Sequence, residues 1–409
     1  MARTERLFLV VLLTIPLQLN KFFPLSFSYV LGIPIDYRIP SIYLSDILII
    51  LFLLSSISSL KKIKDFCADK KWYLLAIGAF LTYLALCAFF IKESKEATLF
   101  FLIKLVELAA FSIPAAYYLS QKKVFTLALR IFKFTLTWQS LVVVYQFITQ
   151  RSLGLWFLGE RSFDTTTTGI AHIEIFQNQF LRPYGTFPHP NVMGAFNLVL
   201  LIILASSLKN NDLYPLPKKA IIPHALAIIS IFASFSKTAL IMLFISPVVI
   251  VKKRTHLVVA ALTIVILVLI YVFALLPRSI DTIAERILLS QAALLVASQN
   301  IILGVGSNNF ILAISKLNLQ SVSEVRLLQP VHNVFLLILA ENGLLGLLLF
   351  SLILLTVSKF TKDKARLFLF FVVLIYLSID HFMWTLQQGQ LVLWLSLSYI
   401  LSSQKNSSS

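Results

Sequence analysis

The sequence predicts an all-α protein: a polytopic membrane bundle of about 12 transmembrane helices with two long extracytoplasmic loops. Three observations lead there. Hydrophobic residues make up 58% of the 409-residue chain and charged residues 13%, about half the charged share of a soluble domain, which leaves too little charge to coat a water-facing surface. The apolar residues gather in long continuous runs, several near the ~20 residues that cross a bilayer as a helix, without the alternation of barrel strands. Basic residues cluster between those runs. The mean hydropathy of +0.88 excludes disorder, which needs low hydrophobicity and high charge. Twelve Gly and 14 Pro exclude collagen-like and Gly-rich chains.

The runs fall at 7–20, 41–60, 72–91, 97–119, 134–148, 191–208, 220–236, 238–251, 256–276, 331–358, 367–379 and 385–402. Three of them (134–148, 238–251 and 367–379) are short, so ten to twelve spans are expected. Arg3 and Arg6 precede the first run as they do in a signal peptide, but no A-x-A-type cleavage site follows, and an uncleaved first span is expected. Three segments suggest themselves. Residues 1–181 hold the N-terminal helices and first long loop, 182–358 a core with the second long loop, and 359–409 the last helices and a short tail.

Charge sets the expected orientation. With the N-terminus in the cytoplasm and sides alternating, the inner segments hold 22 of the 35 basic residues and five of the 18 acidic ones. The whole net charge of +17 then lies on one side, as the positive-inside rule asks. Both termini are expected in the cytoplasm, and the sequence pI near 9.8 reports topology. No basic cluster is interleaved with stacking aromatics, so nucleic acid is not an expected partner. Cys67 and Cys87 fall on different elements with no zinc or redox spacing, and no cofactor is expected.

Two connections, 149–190 and 277–330, are long, and long connections in compact chains tend to carry function. The first contains the run Thr165 to Thr168 and then Arg182-Pro-Tyr-Gly-Thr-Phe-Pro-His-Pro-Asn191, whose prolines and glycine predict a fixed turn structure. The second opens after Pro277. Residues 281–299 can form an interfacial amphipathic helix, ended by Gly304-Val-Gly306.

Ionisable groups near membrane depth each call for an explanation. Taken singly, the bland one is favoured. Lys104 and Glu107 can pair at i,i+3 on one helix. Lys237 sits in a polar break, Ser234-Phe-Ser-Lys-Thr238, and reads as a solvated lysine at a turn. Arg286 reads as a headgroup or ion-pair arginine beside Glu285, Arg182 as a loop salt bridge, and His332 as a satisfied interfacial histidine. Glu341 lies about 13 Å further along the helix and on its opposite face, so it cannot orient His332. It reads as a packing group beside Gly343 and Gly346, which permit close helix approach. Together, Arg182, Lys237, Arg286 and His332 all fall on the predicted outer side. Arg presents a planar fork to phosphate oxygens and Lys a point charge, and His is suited to base catalysis near neutrality. That set suits a lipid-linked phosphate substrate. Asp281, Glu285 and Glu324 are too scattered to hold Mg²⁺, so no metal is expected.

Four segments resemble motifs of the O-antigen ligase and polymerase superfamily. Arg182 to Asn191, followed by Val-Met-Gly-Ala-Phe, is similar to R-x-x-G-T-F-x-x-P-N. Ser234-Phe-Ser-Lys-Thr-Ala239 is similar to S-x-S-R-g-a, with Lys237 where the family usually has arginine. Arg286 followed by Gly304-Val-Gly306 and Phe310 resembles the interfacial helix and G-V-G-x-x-x-F. His332-Asn-Val-Phe-Leu-Leu-Ile-Leu-Ala-Glu-Asn-Gly-Leu-Leu-Gly346 resembles H-N-x-x-L-x-x-x-x-E-x-G-x-x-G, the most specific of the four. No Trp follows Arg286 in the next turn, as relatives often show. The resemblance spans roughly 182–350.

It implies a glycosyltransferase in the cytoplasmic membrane, active on the extracytoplasmic face. The implied donor is a glycan on a polyprenyl diphosphate, and the acceptor is a hydroxyl on a glycan or glycolipid. By the same resemblance His332 is the general base, Lys237, Arg286 and Arg182 hold the diphosphate, and Asn333, Glu341, His189 and Asn191 support them. A single displacement predicts inversion at the anomeric carbon. A membrane transporter and a non-catalytic assembly partner are the alternatives.

Overall fold

The computed structural model describes residues 1–91, 93–175, 177–208, 218–250, 276–317 and 327–403. It is mostly helical. Six helices are long and apolar enough to cross a membrane: Leu44–Phe66, Lys71–Phe90, Lys95–Ser120, Lys122–Thr149, Pro190–Ser207 and Val334–Ser358, with shorter apolar helices at Ile222–Ala233 and Lys237–Ser246. The chain is a multi-pass membrane protein by these helices. Twelve full spans are not reached among the described residues. The first run is helical only over Arg3–Thr14, stopping just before Pro16, and the last two over Lys364–Ile379 and Gln387–Leu401, all shorter than a perpendicular crossing needs. The run 256–276 lies almost wholly outside the described residues.

The chain divides into two compact units. One comprises Met1–Leu19, Tyr118–Ser279 and Thr361–Val372, and the other Asn20–Tyr117, Ile280–Phe360 and Val373–Ser409. In the first unit, α1 (Arg3–Thr14), α6 (Lys122–Thr149), α7 (Pro190–Leu208), α8 (Lys218–Ala233) and α9 (Lys237–Ile250) pack together. The connection 149–190 is structured: it carries an antiparallel hairpin, His172–Ile175 with Asn178–Leu181, and a 3₁₀ turn at Trp156–Leu158. Its final stretch is clamped by two glutamines one heptad apart on α6. Gln146 accepts from the Tyr184 and Gly185 amides at 2.9 and 2.8 Å, and donates to the Gly185 carbonyl at 2.9 Å and Glu160 at 2.7 Å. Gln139 accepts from the Thr186 amide at 3.3 Å and donates to its hydroxyl at 2.6 Å. Both glutamines are buried, and they satisfy loop backbone that water cannot reach. Gly185 has φ of +60°. A Cβ there would stand 2.6 Å from the Gln139 oxygen, so the motif glycine is required twice over.

The second unit holds α2 (Leu44–Ser56), α3 (Leu60–Phe66), α4 (Lys71–Phe90), most of α5 (Lys95–Ser120), α10 (Leu276–Gln299) from residue 280, α11 (Phe310–Ser315), α12 (Val334–Ser358), the end of α13 (Lys364–Ile379), α14 (Phe382–Thr385) and α15 (Gln387–Leu401). Two short antiparallel pairs precede α2: Asn20–Phe22 with Ser41–Tyr43, and Tyr29–Val30 with Ile33–Pro34. The helix expected at 281–299 is present, but it ends at Gln299, before the glycines.

Gly304 and Gly306 serve a different purpose from stopping that helix. Helix α12 is broken at Gly343, with φ 67° and ψ −174°, a conformation essentially reserved for glycine. The break frees carbonyls that the 301–306 segment takes up. The Val305 amide donates to the Ala340 carbonyl at 3.1 Å, Gly306 to Glu341 at 2.7 Å, and the Leu344 amide to Ile301 at 2.8 Å. A Cβ on Gly304 or Gly343 would strike the opposing backbone. The Tyr83 hydroxyl from α4 donates to the Asn342 carbonyl at 2.7 Å, with the Ile302 carbonyl 3.0 Å away.

The expected Lys104–Glu107 pair does not form. Lys104 instead reaches Asp46 at the start of α2, and Gln387 donates to the same carboxylate at 2.5 Å. A buried ammonium gains more from a carboxylate that is also buried and hydrogen-bonded than from a neighbour on its own helix. Both cysteines are free thiols.

Candidate functional site

His332 sits one residue before the N-cap of α12. Asn333 is that cap: its side-chain oxygen accepts from the Leu336 amide at 3.0 Å, and the His-Asn pair therefore begins the helix with the imidazole just outside it. The side chain that meets the imidazole comes from the α13–α14 junction. His332 Nδ1 lies 3.5 Å from Asp380 Oδ1, with the two side chains 19% and 11% exposed. The same Asp380 oxygen accepts from the His381 amide at 2.8 Å. The His381 ring lies 4.9 Å from that of His332, and Tyr37 meets His381 edge-on at 5.2 Å. Burial, followed by the Asp380 and Asp36 carboxylates, pushes the Tyr37 phenol well above its ordinary range, so it stays a protonated donor.

Arg286, on α10, joins the same junction. Its Nη1 donates to the carbonyl of Ile379 at 3.2 Å, the residue before Asp380. Its Nε is buried and has no hydrogen-bond partner among the described residues. A buried donor left without a partner costs ~1–3 kcal/mol.

Glu341 points elsewhere. It accepts from the Phe310 amide at 3.1 Å and, with Tyr37, Phe310, Trp384 and Thr385, lines a cavity of about 20 Å³. Arg38 is buried and donates to Phe27 O at 3.0 Å, to Asn309 Oδ1 at 3.1 Å and to Asn308 O. Glu341 thus fastens the 307–310 turn, in keeping with a packing role.

The remaining expected residues belong to the other unit. Arg182 donates through Nε to Ser234 O at 2.9 Å and through Nη2 to Asn191 Oδ1 at 2.8 Å, bracing the loop against the α8–α9 turn. His189 Nδ1 accepts from the Asn191 amide at 3.1 Å and so caps α7. Ser234 accepts from the Ser236 amide at 3.1 Å, and Gly194 packs against both serines. Lys237 is exposed at the first residue of α9. His332, Asn333, Glu341 and Arg286 therefore share one unit, and Arg182, His189, Asn191 and Lys237 the other.

Sequence reasoning missed Asp380 and His381. The available signal was an Asp-His pair at a break between two apolar runs, on the same predicted side as His332. Residues 223–351 match the family described as O-antigen ligase. That segment belongs to the O-antigen ligase superfamily. It carries Lys237, Arg286, Gly304, Gly306, His332, Asn333, Glu341 and Gly343, while Arg182, His189, Asn191, Asp380 and His381 lie outside it. The family is one of glycosyl-transferring enzymes. No curated protein matches the chain.

Proposed function

We propose that the protein transfers a glycan from a polyprenyl-diphosphate carrier to an acceptor hydroxyl, without a metal, at the extracytoplasmic face of the cytoplasmic membrane. His332 takes the acceptor's proton as its oxygen attacks the anomeric carbon. Asp380, 3.5 Å from Nδ1, steadies the imidazolium that forms, a positioning role. Arg286 receives the departing diphosphate. Its Nη1 is fixed to the Ile379 carbonyl, which aims a planar, always-charged group, and its unsatisfied Nε is a donor for a phosphate oxygen. A fixed unit charge about 4 Å from the developing anion contributes on the order of 4 kcal/mol at an effective dielectric of 20. Lys237 belongs to the other unit and is assigned to the diphosphate by the resemblance alone. Arg182, with two donors spent on Ser234 and Asn191, contributes less to the diphosphate than to the fold.

The observation that carries the proposal is the meeting of His332, Asp380 and the Arg286 anchor at one junction of one unit. The test is purified His332→Ala in a transfer assay with a lipid-diphosphate-linked glycan. Loss of at least about 100-fold in kcat supports the assignment, and wild-type turnover refutes it. Lys237→Arg separates the enzyme from a transporter or an assembly partner: transfer is kept or increased in the first case, and no glycan product forms in the others.

A further inference from the structure

His381 has no part in the transfer chemistry above, yet it is buried beside it. Thr385 Oγ1 lies 2.7 Å from His381 Nδ1, and the same hydroxyl donates to the His381 carbonyl at 3.2 Å. A hydroxyl carries one proton. Either group can be the donor of the 2.7 Å contact; in the tautomer where Nδ1 donates to Thr385, Nε2 holds the lone pair of the ring. His332, Asp380 and His381 each offer one ligand atom, and these atoms lie within 4.8 Å of one another. Ligands around one Zn²⁺ at ~2.0–2.2 Å stand roughly 3.3–3.6 Å apart, so movements of about an ångström close the set. His332 Nδ1 is buried and makes no hydrogen bond among the described residues, so moving it onto a cation breaks none of those. Two imidazoles and one carboxylate suit borderline divalent cations, whereas Mg²⁺ and Ca²⁺ prefer oxygen alone. Thr385 supplies the outer contact that fixes a ligating histidine's tautomer.

We propose that His332, Asp380 and His381 form a binding site for a borderline divalent cation of the zinc class, and that filling it stops glycan transfer. The second half rests on the transferase reading: a cation on His332 occupies the imidazole that reading uses as base. The first half stands on geometry alone.

The experiment uses the full chain without a polyhistidine tag, purified in detergent and stripped with EDTA. Zinc chloride is titrated against it by calorimetry, with magnesium chloride as the comparison. One saturable zinc per chain, untouched by excess magnesium and weakened at least tenfold by His381→Gln, is expected. His172→Gln, on the hairpin of the other unit, leaves the affinity unchanged. Zinc binding that survives His381→Gln overturns the site. Should that variant fail to fold, wild-type protein decides the matter: zinc protects His332 from diethyl pyrocarbonate, and equal modification with and without zinc overturns the proposal. In the transfer assay, zinc abolishes wild-type turnover over its binding range, EDTA restores it, and His381→Gln shifts inhibition to higher zinc. Full turnover at zinc saturation overturns the switch and leaves the site. Zinc-free wild type that transfers nothing overturns the transferase reading and the switch with it, while the binding arm still decides the site.

Discussion

Asp380→Asn isolates what the carboxylate does for His332. Asparagine keeps the shape and can still accept from the His381 amide, which now binds Asp380 Oδ1 at 2.8 Å, so the α13–α14 junction is preserved. What disappears is a negative charge 3.5 Å from the imidazole. At an effective dielectric of 20 that charge is worth about 5 kcal/mol to an imidazolium. Both side chains keep some solvent contact, so screening removes roughly half, leaving about 2–3 kcal/mol. Since the imidazolium exists only once the acceptor proton has moved, the loss falls on kcat, about 30- to 150-fold, with KM for the lipid-linked donor little changed. Steady-state transfer kinetics on purified protein measure it, with a thermal melt as the folding control. Asp380→Glu recovers part of the loss, which a merely structural residue would not predict. A kcat within twofold of wild type, or a rise in KM alone, refutes the reasoning.

Gln146→Met strands two amides and a carbonyl of the 184–185 turn, costing about 3–9 kcal/mol at ~1–3 per buried group, visible as a lowered melting temperature in detergent. Gly343→Ala forces a Cβ into the Ile302 carbonyl at a glycine-only φ/ψ. Monodisperse protein is lost on size exclusion, whereas Gly78→Ala, which meets nothing within 4 Å, behaves as wild type. Lys104→Met leaves Asp46 as an uncompensated buried charge and costs about 3–5 kcal/mol; combining it with Asp46→Asn restores most of the melting temperature.

The helices were legible because hydrophobic burial and backbone satisfaction in lipid leave a local signature: long apolar runs. Partners chosen across the fold leave none. Spacing on one helix pairs Lys104 with Glu107, and only the tertiary arrangement brings Asp46 to it instead. The glutamines of α6 look like ordinary polar interruptions until the 184–186 backbone is seen against them. His332 was legible through its motif and through the cost of an imidazole at a span end. Asp380, 48 residues downstream, was not, because a carboxylate acting on a neighbour's ring shows no fixed spacing from it. The rule that every ionisable group at a membrane boundary needs an explanation would have flagged the Asp380-His381 pair at the break after residue 379.

The break in α12 bears on the rival reading of a transporter, since interrupted helices are where transporters bind ions through freed carbonyls and exposed helix ends. Here the freed groups are occupied. The carbonyls of Ala340 and Glu341 accept from Val305 and Gly306, and that of Asn342 from Tyr83, so none of the three is left bare at this interruption. What the break provides is attachment. The 301–310 segment, held by Arg38 and Glu341 on one side and by Tyr83 on the other, grips the middle of the helix whose first turn is capped by Asn333 and preceded by His332. A rigid mount for one imidazole is what general base catalysis requires, because proton transfer demands hydrogen-bond reach at a defined angle. A conduction path requires carbonyls left bare, and among the described residues at this break those three are not.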